Sequence, residues 1–150
     1  MAAERWMKMT WPSLDAQVKV RLLDDKAPTI CSLMWDALPW ESVQAHALIT
    51  GFMFFSTSPV ATLARENVRL FSELTPGDCA YGAGSQNIVV VYGPLTEPEG
   101  APIWGQVPQA DWPTLQRVGR RAWENLLAPY GDLKVSPLAK QIIVVRCEKT

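Results

Sequence analysis

Apolar and polar residues alternate along several short stretches of the chain, at the period of two expected of a strand with one buried face. Residues 18–23, Val-Lys-Val-Arg-Leu-Leu, show this alternation most clearly. Residues 88–92 are apolar throughout, which is typical of a strand buried on both faces. Residues 45–55 are strand-like but contain Gly51, and a glycine within a strand often marks a bulge. Further short strands are predicted over residues 68–71, 103–107, 133–135 and 141–147.

Two other segments follow the helical period. After Pro28, which suits the first position of a helix, apolar residues recur at spacings of three and four until Pro39 ends the pattern. A second helix is predicted from Asp111, a helix-capping residue type, to about Leu127. About seven or eight short strands with two helices favour a mainly β fold, a closed or nearly closed β-barrel with the helices over its ends.

The N-terminal residues show no sustained period. We therefore divide the chain into an N-terminal arm, residues 1–16, and one barrel domain, residues 17–150. The whole chain has 150 residues, of which 48% are hydrophobic, so its composition suits a single globular domain and not a disordered segment.

The charge balance narrows the classes of partner. The net charge is −1, from 14 Lys and Arg against 15 Asp and Glu, which argues against a nucleic-acid binder that works through clustered positive charge. No apolar run approaches the length of a signal-peptide core or of a membrane-spanning helix. We therefore expect a cytoplasmic protein that binds neither nucleic acid nor a membrane.

The cysteines and the histidine do not form a metal-binding pattern. Cys31, Cys79 and Cys147 are far apart and include no CxxC pair, and His46 is the single histidine. Because zinc sites are built from clustered His and Cys ligands, we predict no metal and no cofactor. The three thiols are expected to be reduced and buried.

Four strings of residues, in order along the chain, resemble those of cyclophilins. They are KAPTICSLMWDALP over residues 26–39, His-Ala-Leu-Ile-Thr-Gly-Phe-Met over 46–53, Pro-Gly-Asp-Cys-Ala-Tyr over 76–81, and Ile-Trp-Gly-Gln-Val over 103–107. The resemblance covers residues 17–148 and implies a cyclophilin-like barrel. It is closer to small bacterial proteins of unknown function with a minimal barrel of this kind, in which a helix string like Gly119-Arg120-Arg121 recurs.

The resemblance lacks the residues of prolyl isomerase chemistry. The catalytic arginine of cyclophilins directly follows the histidine, and here that position is Ala47, which has no hydrogen-bond donor on its side chain. The cleft glutamine of cyclophilins falls on Phe55. Phe52 and Met53 match the pair on the cleft floor. The resemblance therefore implies a cleft without isomerase activity.

We expect this cleft to bind a small polar molecule or a short peptide between the strand of residues 46–55 and the loop of residues 81–87. The residues expected to contact the ligand are His46, Phe52, Met53, Tyr81, Ser85 and Gln86. The alternative is an amide- or lactam-processing enzyme, or a subunit of one, in which His46 handles the proton; residual prolyl isomerase activity is a third possibility. His46 also fits a structural role on a backbone carbonyl, so no catalytic residue is assigned.

The chain has seven tryptophans, most of them at the ends of predicted elements. Because tryptophan is enriched at interfaces, we expect a homodimer that uses the N-terminal arm and a barrel face. The alternative is that these side chains cap the barrel ends within one chain. Arg117, Arg120 and Arg121 on the second helix fit either an anion or partner site or a solvated helix face.

Overall fold

The computed structural model describes residues 3–128 and 140–150. Within these residues the chain forms nine strands and two α-helices, joined in places by single turns of 3-10 helix. In chain order they are β1 (Trp6–Trp11), β2 (Ala16–Leu22), α1 (Pro28–Ala37), β3 (Trp40–His46), β4 (Gly51–Thr57), β5 (Val68–Leu70), β6 (Asp78–Gly82), β7 (Asn87–Leu95), β8 (Gly100–Gln106), α2 (Trp112–Leu127) and β9 (Val144–Lys149).

The strands of the described residues make a closed antiparallel barrel. Neighbouring strands follow the order β2-β1-β9-β3-β4-β7-β6-β8, and pairing of β2 with β8 closes the ring. The short strand β5 adds to the outside of β8. The predicted fold, a mainly β closed barrel with two helices, is confirmed.

The barrel interior holds the larger apolar core. Alternate residues of each strand point inward, among them Trp11, Phe54 and Trp104, which are fully buried. The two helices cover this core with buried apolar faces, which carry Ile30, Cys31 and Met34 on α1 and Leu115, Val118 and Ala122 on α2. Each large side chain removed from water stabilises the fold by roughly 1.5–3 kcal/mol.

A second apolar cluster lies on the outer surface of the sheet. Ile88, Val90 and Tyr92 of β7 belong to the interior core, whereas Val89 and Val91 belong to this outer cluster. This two-sided burial explains why β7 is a continuous apolar run and does not alternate.

The N-terminal segment differs from the prediction. Residues 6–11, which we assigned to an arm, form β1 between β2 and β9 inside the barrel. The reason lies in the alternation of Met7, Met9 and Trp11, all of which point into the core and are essentially inaccessible to solvent. A strand of six residues is too short for this period to stand out beside flanking Pro12.

The predicted strand over residues 45–55 is also corrected, because it is a hairpin. Strand β3 ends at His46, residues 47–50 turn, and β4 begins at Gly51. Gly51 has a φ of +109°, which side-chain-bearing residues rarely adopt. A Cβ there would lie 2.5 Å from the Pro94 carbonyl oxygen. The glycine therefore permits the close approach of the hairpin to the end of β7.

The helices agree closely with the prediction. Helix α1 begins at Pro28 and ends before a cis peptide bond between Leu38 and Pro39. The carboxylate of Glu66 accepts hydrogen bonds from the backbone N–H groups of Thr29 and Ile30, so a distant residue caps this helix. The strand predicted over residues 133–135 lies outside the described residues. Neither helix of the described part of the chain has the length and apolar character needed to span a membrane.

Candidate functional site

Two cavities flank the β3–β4 hairpin. We call the first the outer cavity. It has a volume of about 400 Å³ and lies over the outer apolar cluster. We call the second the helix cavity. It has a volume of about 820 Å³ and lies between the hairpin, the end of β7 and α2. Residues next to each other in the sequence line different cavities. His46 and Phe52 line the helix cavity, whereas Ala47 and Met53, the residues that follow them, line the outer cavity. This division follows from the period of two along a strand.

The floor of the outer cavity is apolar. Met53 and Phe55 of β4, Val89 of β7, Phe71 and Ala101 line it. Met53, Phe71, Val89 and Ala101 are buried members of the outer cluster, and Phe55 packs against them. The floor is therefore rigid and suited to the flat apolar part of a ligand.

The rim of the outer cavity carries opposite charges. Arg65, Glu97 and Glu99 line it, and none of these three side chains makes a hydrogen bond or ion pair with another described residue. Partial burial and the negative charge of Glu99 raise the pKa of Glu97 above the usual glutamate value. Thr50 adds a buried hydroxyl that lacks a partner among the described residues. Polar groups without partners at a pocket are groups that a ligand can satisfy.

The segment of residues 58–67, which we call the strap, positions Arg65. The Tyr81 hydroxyl donates to the Val60 carbonyl and accepts from the Thr62 N–H, at 2.9 and 3.2 Å. The Gln86 amide donates to the Ser58 carbonyl at 2.8 Å. These bonds, with the capping of α1 by Glu66 at its far end, fix the strap along its length.

The predicted ligand-binding residues do not all meet at one place. Met53, Tyr81 and Ser85 line the outer cavity. The ring of Tyr81 belongs to the barrel core and its hydroxyl holds the strap, whereas the Ser85 hydroxyl accepts from the Asn87 amide. Gln86 lines neither cavity, because its side chain also holds the strap.

His46 and Phe52 lie in the helix cavity instead. Nδ1 of His46 lies 2.6 Å from the Ala47 carbonyl oxygen, which only accepts, so Nδ1 carries the proton. In the neutral ring Nε2 then accepts from the Tyr92 hydroxyl, also at 2.6 Å. Burial lowers the pKa of His46 and raises that of Tyr92, which favours this neutral pair. The backbone-bonded histidine that we considered as an alternative is therefore observed.

The charged residues of the outer cavity could not be predicted from the sequence. Arg65 lies in a segment that carries no periodic signal, and its approach to the cavity depends on hydrogen bonds made by distant Tyr81 and Gln86. Glu97 and Glu99 flank Pro98 in the connection between β7 and β8. Their spacing of two around a proline was the one available signal, because it indicates an extended segment with both carboxylates on one side.

The cysteines are buried and unpaired, as predicted. Burial raises the pKa of the Cys31 and Cys147 thiols to about 12. The described residues contain no cluster of three or more His, Cys, Asp or Glu side chains that could hold a metal ion.

The outer cavity contains most, but not all, of the positions that the cyclophilin resemblance assigns to the cleft, because Phe52 lines the helix cavity. Ala47 and Phe55, which stand where cyclophilins have the catalytic arginine and the glutamine, both line it, as does Met53. The charged groups of the outer cavity come instead from Arg65, Glu97 and Glu99.

Comparison with known proteins identifies solved structures that share the fold of this chain. No known family model and no curated protein matches the chain. McbB, solved in complex with tryptophan, is 28% identical with a TM-score of 0.81, and the match covers 96% of this chain and 44% of that one. This chain thus corresponds to less than half of McbB.

Two further structures match over almost their whole length. A hypothetical protein of Archaeoglobus fulgidus is 17% identical with a TM-score of 0.64, over 100% of this chain and 98% of that one. A cyclophilin-type peptidyl-prolyl isomerase of Cryptosporidium parvum is 12% identical with a TM-score of 0.57, over 99% and 98%. At these identities the likeness is one of fold, and the fold of this chain is cyclophilin-like.

Proposed function

We propose that the outer cavity binds an aromatic amino acid of the tryptophan class. The observation that carries the proposal is one cavity with an apolar floor, an unpaired arginine and two unpaired carboxylates. McbB, with which this chain shares 28% identity over 96% of its length, was solved with tryptophan bound. A volume of about 400 Å³ lies in the range of roughly 300–1,000 Å³ usual for small-molecule sites.

Each part of such a ligand has a counterpart in the cavity. The α-carboxylate pairs with the guanidinium of Arg65, whose planar donors suit a carboxylate. The α-ammonium pairs with Glu97 and Glu99, and it relieves the repulsion between these two carboxylates. The aromatic side chain packs on Met53 and Phe55. Because a zwitterion satisfies both signs of charge, the cavity favours amino acids over simple acids or simple amines.

This proposal narrows the earlier expectation of a small polar ligand to one chemical class. His46 lines the helix cavity and takes no part in it, so the amide- or lactam-processing alternative gains no support from the outer cavity. Ala47 offers the cavity no side-chain donor, so residual isomerase activity gains none either.

Isothermal titration calorimetry with L-tryptophan tests the proposal. We expect saturable binding of tryptophan to the intact chain. Tryptamine and indole-3-propionate, each of which lacks one of the two charged groups, should displace bound tryptophan only weakly. Arg65→Ala weakens tryptophan binding at least about tenfold, or roughly 1.4 kcal/mol. The variant should retain tryptamine binding, because tryptamine has no carboxylate.

Glu97→Gln should give the opposite pattern, with tryptophan weakened and indole-3-propionate unaffected or improved. Arg146→Ala is the matched control. Arg146 is an exposed arginine of β9 that pairs with Glu41 of β3 and lines neither cavity. Absence of tryptophan binding, or equal affinity for all three compounds in every variant, refutes the proposal.

The expected homodimer stays a prediction. Trp11 is fully buried and cannot contact a partner, which removes one of the tryptophans on which that expectation relied. Sedimentation velocity of the wild type and of Trp6→Ala tests what remains of it, and a monomeric wild type refutes it.

A further inference from the structure

The helix cavity has aromatic walls. The Trp123 ring of α2 lies 5.1 Å from the His46 ring, and the Phe52 ring lies 5.6 Å from the Tyr92 ring, both edge to face. Leu48, Ile49, Pro76 and Pro94 complete the apolar lining. The cavity can therefore surround a flat apolar group on several sides.

The mouth of this cavity is an exposed apolar patch. Ile49 is 84% exposed, Leu48 68% and Phe52 51%. Phe52 is held there by close packing, since a Cβ on Gly93 would lie 2.8 Å from its Cβ. Contiguous apolar side chains kept exposed in this way mark binding sites, because solvating them costs free energy.

One positively charged side chain lines the helix cavity. Among the described residues that line it, Arg120 is the single charged side chain when His46 is neutral, and no carboxylate is present. Its neighbours on α2 are engaged, because Arg117 donates to the backbone carbonyls of Leu14 and Asp15 and Arg121 pairs with Glu124. Arg120 has no partner within the described residues. Of the three arginines noted in the sequence, Arg120 is thus the one available to a ligand.

The charge of this cavity is opposite to that of the outer cavity. The outer cavity offers two carboxylates and one arginine, which suit an amino acid. The helix cavity offers an arginine alone, so an ammonium group would find no partner and would be repelled. The Tyr92 hydroxyl, which donates to His46, and the Gln116 amide remain able to bond a polar atom of the ligand.

We propose that the helix cavity is a second ligand site, which binds a small carboxylate with an aromatic body. The aromatic ring packs between Phe52 and Trp123, and the carboxylate pairs with Arg120. The site therefore discriminates against the amino acid that carries the same ring, because the α-ammonium is disfavoured there.

Calorimetric titration of the Arg65→Ala variant with 3-phenylpropanoate tests the proposal, because amino-acid binding at the outer cavity is weakened in this variant. The amide 3-phenylpropanamide and the zwitterion L-phenylalanine are the neutral and zwitterionic counterparts of the acid. We expect saturable binding of the acid and at least tenfold weaker binding of the other two. Arg120→Ala should abolish the preference for acid over amide, which a merely structural role of Arg120 would leave intact. Arg120→Lys should restore part of it. Arg121→Ala, one position along the same helix, should leave it unchanged.

Arg65→Ala separates the two cavities. Because Arg65 lines only the outer cavity, this variant should bind 3-phenylpropanoate as the wild type does. The proposal is overturned if the acid and the amide bind equally, if no saturable binding occurs at millimolar concentrations, or if Arg65→Ala abolishes binding of the acid while Arg120→Ala does not. It is also overturned if the protein forms a dimer that Ile49→Asp dissociates, since a second copy then covers the cavity.

Discussion

Gly119→Ala tests whether the contact between α2 and the barrel is as tight as the structure shows. Gly119 is buried in α2 against Tyr92, and a Cβ at this position would lie 2.4 Å from two carbons of the Tyr92 ring. Carbon atoms in favourable contact are about 3.5–4.0 Å apart, so the helix or the ring must move by more than an ångström.

The Tyr92 ring cannot easily move away. It stacks on Phe54, touches Phe52 edge to face, and donates a hydrogen bond to His46. Overpacking of this kind costs roughly 1–3 kcal/mol. Alanine in place of glycine within a helix contributes about 1 kcal/mol in the opposite direction. We therefore expect a net loss of about 1 kcal/mol, and of no more than about 2 kcal/mol, in the free energy of unfolding.

Urea denaturation followed by circular dichroism measures this loss. Gly84→Ala is the control, because a Cβ at Gly84 has no heavy atom within 4 Å. In a Tyr92→Ala background the clash is gone, and Gly119→Ala should be neutral or stabilising. If Gly119→Ala equals or exceeds the wild type in stability, helix propensity alone governs the position and the reasoning about packing is wrong.

Two further predictions concern titration and reactivity. Burial lowers the pKa of His46, so at this residue the unfolded chain binds a proton more readily than the folded chain does. The stability that neutral His46 contributes is therefore complete above about pH 6.5, and it is lost as the pH falls towards the lowered pKa. Urea denaturation at pH values from 7 to 5 should show that the free energy of unfolding falls more steeply in the wild type than in His46→Gln, by up to about 1.36 kcal/mol per pH unit. An equal fall in both proteins would contradict the assignment to His46. Because burial raises the pKa of the Cys31 and Cys147 thiols to about 12, neither should react with iodoacetamide at pH 7.5 in the native protein, whereas both should react in denaturant. Mass spectrometry counts the labels, and rapid labelling of the native protein would be inconsistent with this burial.

The parts of the fold that repeat a period over enough residues could be predicted from the sequence. Strand β2 and both helices belong to this group, whereas β1 does not, because its alternation spans only six residues. The β3–β4 turn could not be predicted, because Leu48 and Ile49 look like core residues and yet lie exposed at the mouth of a cavity. A hydrophobic pattern does not distinguish apolar residues that build a core from those that build a binding surface.

The residues predicted to form one cleft divide between two cavities in the structure. In the hairpin His46 pairs with Phe54 and Ala45 with Phe55, so His46 shares the face of Phe54, and Met53 and Phe55 lie on the other. Once the turn is placed, alternation alone separates His46 from Met53. The approach of Arg65 and the two glutamates depends on tertiary hydrogen bonds and loop paths, which local sequence does not encode.

The closed barrel and the charged rim of the outer cavity are built from different stretches of chain. Arg65 and the two glutamates all lie outside the strands, in the strap and in the connection between β7 and β8. Substitutions that change which ligand is accepted can thus accumulate in these connections without breaking the ladder of backbone hydrogen bonds. Within one scaffold, ligand preference is free to diverge between descendants while the requirements for folding stay constant.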